Sequence, residues 1–165
     1  MHQLSRLTFH AERDAYRLPT EAEWTLIASK NWDPQKGWNA SNSNYKLHKP
    51  CTANSNEDFC DLAGNVMEWV NDWKGTLLDT SITNYAGAPD GGNIGERVLK
   101  GGSYRNEAAA TLVENRGDVY TVTSSTKAEY VGFRLAFGKI PDAVWMDAQG
   151  STTSSPINIL RHQPS

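Results

Sequence analysis

Cysteine is scarce: Cys51 and Cys60 are the whole complement, with eight residues between them. Two thiols cannot by themselves complete a four-ligand zinc site, and no histidine lies closer than His48. The pair has two readings, a local disulfide in an oxidising compartment, contributing about 2–3 kcal/mol by loop closure, or two buried thiols. Neither sign of charge dominates, since 16 basic residues face 19 acidic ones for a net charge of −3. That gives no electrostatic reason to expect nucleic acid or an anionic membrane as partner. Long apolar runs are missing too; none approaches the roughly 20 residues that span a bilayer. The first nine residues have no sustained apolar stretch, so no signal peptide is expected in this chain. There is no internal repeat, no low-complexity tract, no phosphate loop, no Ser-His-Asp order and no paired-carboxylate acid/base motif.

What is abundant is glycine, asparagine and tryptophan. Thirteen Gly and six Trp in 165 residues suggest a loop-rich domain in which large rings bury the area that short elements cannot. Thr20-Glu-Ala-Glu23 is a capping box, with Pro19 and Trp24 placed as a hydrophobic staple, and it predicts a helix over 21–29. Residues 31–56 and 77–95 read as long loops. Strands are expected over 67–73, 97–100 and 130–137, the last placing Val131, Phe133, Leu135 and Phe137 on one side, with a further candidate at 120–123. From Gly138 the composition turns polar and Gly/Ser/Thr-rich, so 139–165 reads as a linker or tail after a domain spanning 1–138. Trp24, Trp69, Trp73, Phe133 and Phe137 are the expected core. Arg134 is expected to pair with a buried acid such as Glu23 or Asp72.

The most informative stretch is Asp61-Leu-Ala-Gly-Asn-Val-Met-Glu-Trp69, which puts two carboxylates and a bending glycine within eight residues. Taken with Arg17-Leu-Pro-Thr-Glu-Ala-Glu-Trp24, with Arg97-Val-Leu-Lys-Gly-Gly-Ser-Tyr104 and with Gly132-Phe-Arg134, it occurs in an order that resembles the formylglycine-generating enzyme, or sulfatase-modifying factor, family. The resemblance covers roughly 15–137, and the usual N-terminal part of the family domain has no counterpart here. It implies an α+β, C-type-lectin-like fold, loop-rich, with small twisted antiparallel sheets and few helices. It also implies an enzyme that oxidises a sulfatase cysteine to formylglycine with a copper ion held by two thiolates.

Those thiolates would fall at the second and seventh positions after Tyr104, which are Asn106 and Thr111. An amide and a hydroxyl are hard, uncharged donors that do not hold Cu(I) or act as redox nucleophiles. Copper and the oxidase activity are therefore not expected. The family's calcium site carries over better, with a side chain from Asp61, carbonyls from Gly64 and Val66, and a carboxylate from Glu68. Calcium favours such a set of oxygens, and its role would be structural. A second family calcium site finds no matching Asp turn around 39–56 and is expected to be lost. Arg105, Asn106, Glu107 and Thr111 would line the former active-site groove.

The resulting expectation is a catalytically silent, calcium-stabilised module of a bacterial envelope or extracytoplasmic protein that binds a peptide or glycan through that groove. The chain would act as a homodimer or as part of a longer chain. The alternatives are an oxidase of altered chemistry and a purely structural domain.

Overall fold

The computed structural model describes residues 14–53, 59–92, 95–117 and 127–154. Its elements follow directly from local signals. Thr20 caps the single α-helix of the described residues, α1 (Glu21–Asn31): its hydroxyl accepts from the Glu23 amide at 3.2 Å, and Glu23 returns a bond to the Thr20 amide at 2.9 Å. Glu23 also takes a bidentate pair from Arg17, 2.7 Å on each oxygen. Pro19 and Trp24 are both fully buried, as a staple requires. The helix runs two residues beyond the predicted end, to a Trp32 amide that bonds the Ala28 carbonyl at 2.7 Å.

β2 (Met67–Trp73) is the central strand of a three-stranded sheet ordered β3-β2-β4. β3 (Arg97–Lys100) pairs with it antiparallel, with an irregularity between Trp69 and Trp73, whereas β4 (Val131–Phe133) pairs in parallel. The sheets are thus small as expected but not uniformly antiparallel. Two further two-stranded sheets join β1 (Tyr16–Arg17) to β5 (Ala136–Phe137) and β6 (Trp145–Met146) to β7 (Thr152–Thr153). Most remaining described residues are ordered loop. The strand candidate at 120–123 lies outside the described residues.

Core residues come from α1 and the sheet: Trp24, Ala28, Leu62, Val70 and Val98 form one cluster, Met67, Trp69 and Leu99 another. Two sequence expectations are corrected here. Phe133 and Phe137 are 51% and 65% exposed: exposure still alternates through 133–137, but the side carrying Phe133, Leu135 and Phe137 faces out while Arg134 and Ala136 are half-buried. The stretch 139–154, expected to be linker or tail, is folded. Ala143 and Trp145 pack on Ala86 with Ile140 against them, and the β6–β7 hairpin closes the unit.

The interior also holds charge. Glu21 accepts from Arg116 at 2.6–3.2 Å and from Lys100 at 3.3 Å, and Arg116 reaches the Gly75 carbonyl at 2.6 Å. Asp72, fully buried on β2, takes the Glu21 amide on one oxygen at 2.8 Å; its Oδ1 and the nearby Tyr85 hydroxyl have no partner among the described residues. Burial pushes the Asp72 carboxyl up from an ordinary 3.8 to about 7, against the lowering effect of the Glu21 amide. The folded state therefore holds a proton that the unfolded chain releases, so this group subtracts stability as pH rises from about 3.8 to about 7. Asp72→Asn keeps an acceptor for the Glu21 amide and cannot ionise. The variant should gain stability over the parent through that window and hold a constant advantage above it, as read by urea unfolding at pH 5, 6, 7 and 8.

Candidate functional site

The motif loop 61–66 is shaped by three left-handed residues, Asp61, Gly64 and Asn65. Gly64, at φ +111°, lies so close to the Trp38 carbonyl that a Cβ there would sit 2.1 Å from its oxygen. Only glycine lets the two backbones meet this way. Next to it, Asn65 acts as a clip that the sequence reading missed. Its amide donates to the Trp38 carbonyl (2.6 Å), its carbonyl accepts from the Tyr104 amide (2.9 Å), and its side chain exchanges two 3.1 Å bonds with the backbone of His48. The visible signal was Gly-Asn, a dipeptide suited to turns. Trp38 and His48 then stack at 3.8 Å between centroids.

Asp61 is buried and splits its carboxylate between two roles. Oδ2 accepts from the Cys51 amide at 2.8 Å and from the Asn65 side chain at 3.4 Å, while Oδ1 has no partner among the described residues. Cys51 and Cys60 form a disulfide with their Cα atoms 5.1 Å apart, so the first of the two cysteine readings holds.

Glu68 is committed elsewhere. Its Oε1 and Oε2 take a fork from Arg134, 2.6 Å on each, and Oε2 also accepts from the Trp24 indole at 2.7 Å. Arg134 adds a 3.0 Å bond to the Cys60 carbonyl. The buried acid that pairs with Arg134 is thus Glu68, not Glu23 or Asp72, because parallel pairing sets Glu68 opposite Gly132, two residues before Arg134. Toward a hard cation the four predicted ligands fit in part. Asp61 offers a buried, unpartnered oxygen beside the Gly64–Val66 turn, whereas both Glu68 oxygens already carry guanidinium and indole donors.

The expected groove residues divide likewise. Gly102, with positive φ, brings its backbone against Thr111, whose methyl would lie 2.9 Å from an added Cβ. Thr111 is fully buried, donating to the Ala108 carbonyl at 2.7 Å, and its own carbonyl accepts from the Trp32 indole at 2.8 Å. It offers nothing to a ligand. The Asn106 side chain closes the turn, accepting from the Ser103 amide and hydroxyl at 2.8 Å each, and its carbonyl holds the Ala40 amide. Arg105 and Glu107 are exposed. The Arg105 guanidinium lies over Tyr104 and Tyr130, 5.1 and 5.3 Å from the ring centroids, and pairs with Glu129; the buried Tyr104 also donates to Glu129 at 2.9 Å. Glu129 and Tyr130 therefore join the surface that sequence reading had centred on Asn106 and Thr111, with Tyr104 buried beneath Arg105.

With this geometry in place, the profile of the sulfatase-modifying factor enzyme 1-like domain matches residues 2–139. The chain belongs to that family. Fourteen chains of solved structures match it. Among them, Treponema denticola variable protein 1 is 30% identical, with a TM-score of 0.66 over 78% of this chain and 50% of the relative. This chain spans about half that relative's length. No curated protein matches. The loop-rich α+β fold expected from the resemblance is the family fold.

The Glu68–Arg134 pair yields a test. Removing one partner of a buried pair leaves the other uncompensated and costs about 3–5 kcal/mol. Arg134→Ala should lose about 3 kcal/mol in urea unfolding, and the double replacement Glu68→Met with Arg134→Met should lose less than that single change.

Proposed function

We propose that this chain is a catalytically silent member of its family that binds a peptide or glycan on the surface formed by Arg105, Glu107, Glu129 and Tyr130, over a buried Tyr104. The observation that carries the reading is the state of the two positions where active members need copper thiolates. Asn106 and Thr111 are a turn-closing amide and a buried hydroxyl, each already bonded to its own neighbours. The cysteines that the chain does have are joined to each other, beside Asp61. Beneath the surface, Tyr104 is fixed by its own backbone, which bonds Asn65 and the buried Ser43 hydroxyl. An arginine across two aromatic rings, with a carboxylate alongside, suits ligands that present planar amides, hydroxyls or carboxylates.

Calcium enters the same proposal as a structural ion. Asp61 Oδ1 and the carbonyls of Gly64 and Val66 would hold it, with Glu68 left to Arg134. The disulfide supports an extracytoplasmic or envelope setting.

Incubation with Cu(I) and a Cys-x-Pro-x-Arg peptide should give no formylglycine by mass spectrometry; product would overturn the silent reading. On glycan arrays and peptide libraries, hits of the parent should weaken about tenfold in Arg105→Ala and Glu107→Ala. Unchanged binding would remove this surface from the account. For the ion, EDTA should lower the melting temperature by about 3 °C in the parent and leave Asp61→Asn unaffected.

A further inference from the structure

The disulfide and Asp61 form a corner that the ligand surface does not use. The two sulfurs and a carboxylate oxygen of Asp61 lie within 4.8 Å of one another. Asp61 is 8% exposed, and its Oδ1 is a buried charged acceptor with no hydrogen-bond partner among the described residues. Such an atom is costly unless something neutralises it. Its other oxygen is tied to the Cys51 amide at 2.8 Å, so the carboxylate is held against the backbone of Cys51. A tetrahedral zinc ion, with sulfur near 2.3 Å and carboxylate oxygen near 2.0–2.2 Å, sets its ligand atoms about 3.5 Å apart. The three donor atoms already share one corner within 4.8 Å, breaking the S–S bond frees the sulfurs to separate to that distance, and Cys51 is exposed, which gives an ion a path in.

We propose that reduction of the Cys51–Cys60 bond turns this corner into a site for a thiophilic divalent ion of the zinc class, held by both thiolates and Asp61, with the fourth position open to water. A dithiol reductant delivers two electrons and two protons to the S–S bond and becomes a cyclic disulfide, leaving two thiols. Ion uptake then releases both thiol protons to solvent. Two thiolates, one carboxylate and the ion carry a net charge of −1, which the exposure of Cys51 leaves open to solvent. The loop between the two cysteines is thus closed by a covalent bond when oxidised and by a metal when reduced. The calcium proposal concerns the oxidised protein and hard donors; it shares Asp61 with this site, and the cobalt charge-transfer band of the reduced protein tells the two apart.

The test uses the full chain, reduced with dithiothreitol, freed of it anaerobically and shown by thiol counting to carry two free thiols. Titration with Co(II) should give thiolate-to-metal charge-transfer absorption and the ligand-field bands of tetrahedral cobalt at one equivalent, both displaced by Zn(II). The oxidised protein should show neither. Asp61→Asn, which keeps both cysteines, should weaken cobalt binding by about tenfold or more, and Cys51→Ser should abolish the charge-transfer band. If reduction unfolds the chain, Zn(II) should restore its circular dichroism. A reduced parent that stays without cobalt bands, folded or not, overturns the proposal, as does Asp61→Asn binding at parental affinity.

Discussion

Glu68 is the point where the parts of this fold are tied together. It sits on the central strand and receives the indole of α1 on one side and the guanidinium of Arg134, just past β4, on the other. A carboxylate that is 5% exposed requires such partners, since its desolvation is repaid only by charge-assisted bonds. Trp24, Glu68 and Arg134 come from three separate motifs, which meet in this one contact. The same contact explains why Glu68 is poorly placed to serve a cation at the 61–66 turn.

Around this junction the chain has little regular structure, so side chains do what ladders do elsewhere. Asn65 links three loop segments, the Ser43 hydroxyl holds the Tyr104 carbonyl, and the Asn39 side chain bonds Pro34 and Ser41. These are short polar groups with local geometric preferences, and each satisfies backbone that would otherwise be buried without a partner. Glycines act at the crossings: Gly64 against Trp38 and Gly102 against Thr111. The ligand surface stands on this frame, with a buried Tyr104 under a half-exposed Arg105.

What could be read from the chain was whatever is encoded locally. The capping box at Thr20 and Glu23, the strands at 67–73 and 97–100 and the ordered motifs all depend on neighbours in sequence. Pairings that depend on topology could not be read. Arg134 finds Glu68 only because β4 joins β2 in parallel, a choice no local pattern announces. Phe133 and Phe137 alternate as a half-buried strand would, yet the side that carries them faces out and the covered side is that of Arg134 and Ala136. The polar stretch after Gly138 reads as a tail because its hairpin is short and, among the described residues, only Ala143, Trp145 and Met146 are buried. Thr111 was chosen by position relative to Tyr104, and position alone cannot tell a surface hydroxyl from one under a glycine.

The parallel register of β4 on β2 also governs the order in which the molecule can assemble. Met67 must find Val131, and Trp69 must find Phe133, across a span that includes β3 and the whole 101–117 region. Closing this wider loop costs somewhat more chain entropy than closing the β2–β3 connection, which favours forming the helix and the β2–β3 pairing first. On a ribosome, the nascent chain would emerge with Glu68 lacking its guanidinium until Arg134 had left the exit tunnel. During that interval Trp24 is the partner available to it.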